Sequence, residues 1–153
     1  MGDSWKAADD VYEIMKELVA SNHPDLALVV DEIIIVFNEK ARKSGGNTVY
    51  GNAGRVGKMT NVIGETDYKF ILTLGADTWE TELSSRQRKA LLDHLLCMCR
   101  CDEDPSSGEL KCYNVRPDIM AFRENVERYG MWFPKEHETD DNTESNQVVQ
   151  EAV

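Results

Sequence analysis

The sequence lacks any apolar run long enough to cross a bilayer: its longest stretches, such as Ile33–Phe37, are five residues, against the roughly 20 that a membrane helix needs. It is also poor in cations for its acids, with 17 Lys and Arg against 28 Asp and Glu and a net charge of −11. That balance argues against a surface that as a whole binds nucleic acid or an anionic membrane, so neither is expected as a direct partner. No cationic segment followed by an apolar run opens the chain and no Asn-x-Ser/Thr sequon occurs, so a reducing cytoplasmic location is expected. No internal repeat is visible, which excludes solenoids and propellers.

What is present fits one globular domain. The 153 residues are 41% hydrophobic and 29% charged, a composition that excludes wholesale disorder and fibrous architectures. Residues 1–133 are expected to form a single α+β domain and 134–153, with six acids, one lysine and few apolar groups, a disordered acidic tail. Residues 102–153 carry net −8 of the total charge and residues 1–101 only −3.

Apolar steps of three and four at Val11, Ile14, Met15, Leu18 and Val19 predict a first helix over Trp5–Ser21, closed by Pro24. The β-branched run Ile33–Phe37 and the alternating Tyr68–Leu74 predict strands. Between them, six glycines from Gly45 to Gly64 predict an irregular hairpin. Ser84, with Gln87 three residues on, predicts an N-cap and capping box for a long helix reaching about Arg100. A turn at Asp102–Gly108, a strand at Glu109–Val115 and a third main helix, Ile119–Tyr129, capped by Asp118 and ended by Gly130, complete the series.

Several segments suggest chemistry. Gly51–Lys58 fails as a phosphate loop, because Asn52 replaces the first glycine and Met59 the magnesium-binding hydroxyl. Lys40, Arg42, Lys43, Arg55 and Lys58 form a basic island that fits an acidic partner or a solvated face. Asp102, Glu103 and Asp104 form an acidic patch without the ligand pattern of a calcium loop. His23, in a turn, and His137, in the tail, have no nucleophile motif beside them. His94, Cys97 and Cys101, at i, i+3 and i+7, share one helical stripe, and Cys112 is a fourth donor for a closed Cys₃His structural zinc site. The alternative is that the cysteines act as small buried hydrophobes.

The helix Ser84–Cys101, together with Gly75-Ala76-Asp77-Thr78-Trp79, Arg116-Pro117-Asp118 and the ending Glu127–Trp132, resembles the family of small phage-encoded metallopeptidases, over most of residues 5–133. The resemblance implies a zincin-like scaffold whose helix carries His-Glu-x-x-His. Two histidines four apart reach one zinc, and the glutamate activates the bound water. Here His94 matches the first ligand, Leu95 stands at the glutamate and Met98 at the second histidine, and no histidine accompanies Arg116-Pro117. A leucine takes no proton and a thioether is a poor zinc ligand. The missing Glu and His, combined with the acidic C-terminal third, lead us to expect a scaffold that binds a host protein stoichiometrically through an acidic, nucleic-acid-mimicking surface; the resemblance to phage proteins implies that it does so in the host cytosol and opposes host defence. Two alternatives stay open: a zinc peptidase with ligands drawn from His94, Cys97, Cys101, Cys112, Asp93 or Glu103, and a zinc-stabilised structural adaptor.

Overall fold

The computed structural model describes residues 2–134. In chain order these form strand β1 (Ser4–Lys6), helix α1 (Asp9–Asn22), a 3₁₀ segment (Pro24–Glu32), β2 (Ile33–Asn38), β3 (Arg42–Ser44), β4 (Asn47–Val49), β5 (Gly51–Arg55), α2 (Lys58–Gly64), β6 (Phe70–Gly75), α3 (Ala76–Thr81), α4 (Ser85–Cys97), β7 (Cys99–Glu103), β8 (Leu110–Asn114) and α5 (Arg123–Tyr129). The class is α+β. Two compact units divide between Arg116 and Pro117, the first holding every strand and α1–α4, the second α5. The disordered tail expected at 134–153 lies, apart from Pro134, outside the described residues.

The main sheet of the first unit runs β1-β2-β6-β5, with β2 and β6 parallel and both outer pairs antiparallel. Its register follows from alternation. Ile33, Ile35 and Phe37 of β2 and Phe70, Leu72 and Leu74 of β6 point to one buried face, because successive strand side chains take opposite sides. Onto that face pack Val11, Met15, Leu18 and Val19 of α1, Leu26 and Val29 of the 3₁₀ segment, and Leu92, Leu95 and Leu96 of α4. Where β1 stops short, the Tyr12 hydroxyl accepts the Ile35 N–H at 2.9 Å and Ala7 N–H donates to the Ile35 carbonyl at 2.9 Å. The backbone of β2 therefore leaves few groups unmade.

Boundaries differ from expectation where pairing or burial outweighs periodicity. Trp5 belongs to β1, paired with Phe37, and α1 starts only at Asp9. The long helix ends at Cys97 and not near Arg100, since Cys99–Glu103 pairs with Leu110–Asn114 and buries Cys99 and Cys101. The glycine-rich stretch does make a hairpin, with Gly45 and Gly46 at φ of 56° and 83°, but it also yields strand β5 and helix α2. The third helix begins at Arg123, with Phe122 and not Asp118 at its N-cap position and no side-chain cap. Ile119 and Met120 stay exposed. In that second unit Trp132 Nε1 donates to Asn125 Oδ1 at 2.7 Å.

Candidate functional site

Helix α4 organises the chemistry of the first unit. Its start is built as expected, with Gln87 N–H donating to Ser84 Oγ at 3.2 Å and Ser84 N–H to the Gln87 side chain at 2.9 Å. From there the helical repeat decides which side chains face the sheet. Leu92, Leu95 and Leu96 turn inward, while His94 and Cys97 are exposed. Leu95 is 1% exposed and sits so near the sheet that a Cβ on Gly51 would lie 3.0 Å from its Cδ1 and 3.1 Å from Leu74 Cδ2. Met98 caps the helix and packs half-buried against the core.

The residues at positions 94, 95 and 98, to which the resemblance assigns His-Glu-x-x-His, lack the donors that a catalytic zinc of that pattern uses. His94 is exposed, the glutamate position lies inside the apolar core, and the second histidine position holds a thioether. Neither of the last two side chains can hold a zinc water or take its proton.

The four residues His94, Cys97, Cys101 and Cys112 are not gathered around one point either. Their stripe requires a helix that reaches position 101, and α4 stops at Cys97. Cys101 instead faces Cys112 directly across β7 and β8. Burial pushes the Cys99 thiol up to about 12. Burial, followed by the contact with Cys112, raises Cys101 well above its ordinary value. Both behave as small core residues with protonated thiols.

Among the described residues one set of metal-donor side chains does converge: His23, Asp93 and Cys97, whose donor atoms all lie within 4.8 Å of one another. His23 is 5% exposed and follows the last residue of α1, where its N–H bonds the Val19 carbonyl at 3.1 Å. Its Nε2 lies 2.8 Å from Asp93 Oδ1, to which Asn22 Nδ2 also donates at 3.1 Å. Asp93 and Cys97 are i and i+4 on α4, the spacing that puts two side chains on one helix face. Sequence spacing carried only this last pair, since nothing local connects position 23 with position 93.

The basic island separates along β5. Lys40 and Arg42 line a hollow of about 230 Å³ at the carboxyl ends of β2 and β6, with Asn38, Asn52, Thr73 and Gly75. Lys43 lies on β3 and its Nζ donates to Thr48 Oγ1 at 3.2 Å. Arg55 pairs with Phe70 at the other end of β6, followed by Lys58 at the start of α2, roughly 13 Å along the strand from Gly51. The acidic patch forms the outer end of the β7–β8 hairpin. There Asp102 accepts the Tyr113 hydroxyl, and Ser106 N–H and Oγ donate to Asp104 Oδ1, holding that carboxyl below its ordinary range. Asp104 thus shapes the turn that carries it.

The fold is α+β, and its family is shown by comparison with family models. The model of the family described as "Putative phage metallopeptidase" matches residues 3–151, and the chain belongs to that family. No curated protein and no solved structure matches the chain. Among the described residues no helix is long and apolar enough to cross a membrane.

Proposed function

We propose that this family member acts by stoichiometric binding to a host protein and does not hydrolyse peptides through positions 94–98. The observation that carries this reading is Leu95, a fully buried core side chain in the place of the general base. Two further features support a binding role. Helix α2 buries none of its residues and keeps Met59, Val62 and Ile63 exposed, an apolar patch of the kind that marks contact surfaces. The net charge of −11 suits a partner with a basic, nucleic-acid-binding face, which an acidic protein can occupy and so block.

The test is quantitative co-purification of the tagged protein from host lysate at low and high salt, repeated with Met59→Ser/Ile63→Ser. The expected result is one partner in equimolar amount, weakened by salt and lost in the variant. Recovery of no partner at low salt contradicts the proposal. A second reading, peptide hydrolysis with an altered ligand set, is favoured by the convergence of His23, Asp93 and Cys97 and predicts chelator-sensitive cleavage.

A further inference from the structure

We propose that His23, Asp93 and Cys97 form a zinc site separate from the His-Glu-x-x-His positions. It does not rest on the binding role above and holds whether or not the protein cleaves anything. The donor set is the first argument. Imidazole, carboxylate and thiolate are the three side-chain ligands zinc takes, whereas magnesium and calcium call for oxygen alone.

Geometry is the second. Zinc bonds of about 2.0 to 2.3 Å in a tetrahedron place neighbouring donors about 3.3 to 3.6 Å apart. The His23 Nε2 to Asp93 Oδ1 distance is 2.8 Å and every donor pair lies within 4.8 Å. Entry of the ion thus asks the imidazole and carboxylate to part by about half an ångström and the thiol to close in. Rotation of the Asp93 and Cys97 side chains provides this, as both are at least partly solvent-accessible.

The third argument is the fixed frame. His23, nine-tenths buried, is held at the junction of α1 with Pro24, and the other two ligands share one face of α4. Asn22 Nδ2 donates to Asp93 Oδ1 at 3.1 Å, an outer-shell bond that orients the carboxylate. A carboxylate and a thiolate neutralise the divalent charge. Binding converts the Cys97 thiol to a thiolate and releases its proton to solvent. Three protein ligands leave a fourth position, which faces solvent because Cys97 is exposed and the Asp93 side chain is 36% exposed.

The experiment titrates metal-free full-length protein with Zn²⁺ and, separately, Co²⁺. One ion per chain is expected, with a thiolate-to-cobalt charge-transfer band and protection of Cys97 from alkylation by zinc. Cys97→Ser abolishes the band and weakens zinc binding by more than the roughly 10- to 100-fold that loss of an outer-shell partner costs. Asp93→Asn weakens it likewise, while His94→Ala leaves it unchanged. Cys97→Ser alters an exposed side chain, so it reports on the site even where His23→Gln fails to fold. Unchanged binding in Cys97→Ser, loss of binding in His94→Ala, or the absence of stoichiometric zinc overturns the proposal.

Discussion

Placing at position 95 the glutamate that the resemblance implies should damage this protein instead of activating it. Leu95 is 1% exposed and packs against Leu74 and the Gly51 backbone, so a carboxyl introduced there enters an apolar contact. Losing the leucine's burial costs about 2 kcal/mol. Keeping the new carboxyl neutral at pH 7, against an ordinary value of about 4.3, costs about 3.7 kcal/mol more. The sum, about 5 to 6 kcal/mol, reaches the lower end of a domain's whole stability. Leu95→Ala, which only opens a cavity, should cost about 3 kcal/mol, or about 12 °C in Tm at 4 °C per kcal/mol.

Urea unfolding followed by far-ultraviolet circular dichroism measures both variants. The sign of the pH dependence is a further check. The introduced carboxyl has a raised folded-state pKa, so the folded state holds its proton more tightly, and Leu95→Glu should regain stability as pH falls from 7 to 5. A Leu95→Glu protein within about 1 kcal/mol of wild type at pH 7 refutes the reasoning, since ordinary surface changes stay within about half of that.

Gly75→Ala should destabilise by about 1 to 3 kcal/mol. A Cβ there falls 2.5 Å from Ala41 Cβ and 2.6 Å from Ala41 Cα, and Ala41 is pinned by its N–H bond to Asp77 Oδ1 at 2.8 Å; an unchanged urea midpoint contradicts this. Ser84→Ala removes the cap of α4 and should cost about 1 kcal/mol, read in the same assay, with no loss arguing against the capping box. Because burial raises Cys99 to about 12, the unfolded chain releases that proton from about pH 8.5 upward while the folded chain keeps it. Stability should therefore fall between those values by up to about 1.4 kcal/mol per pH unit from this thiol. The decline should be shallower in Cys99→Ala, and identical slopes exclude the assignment.

The features legible in the sequence were those with local causes. The short β-branched run Ile33–Phe37 marked β2, and Ser84 with Gln87 marked the start of α4, because strand propensity and caps are set within a few residues. The end of α4 was misread because helical spacing from His94 to Cys101 is compatible with the residues alone. The competing signal, Cys99 and Cys101 alternating with Arg100 and Asp102, has meaning only once β8 supplies a partner strand. The same error produced the four-ligand zinc set. The site His23, Asp93 and Cys97 joins positions 70 residues apart, and such a meeting is decided by how α1 and α4 pack on one sheet face, not by spacing. That Leu95 and Met98 stand where the resemblance implies glutamate and histidine was readable residue by residue. That Leu95 is core and not merely a substitution needed the packing.

The central claim is that this chain keeps the family scaffold without its hydrolytic chemistry. Its most direct test is incubation of zinc-replete wild-type protein with a broad peptide library, followed by mass spectrometry of the products. The account predicts an uncut library, indistinguishable from a chelator-treated control. Cleavage that disappears with chelator, whether or not it survives His94→Ala, contradicts it.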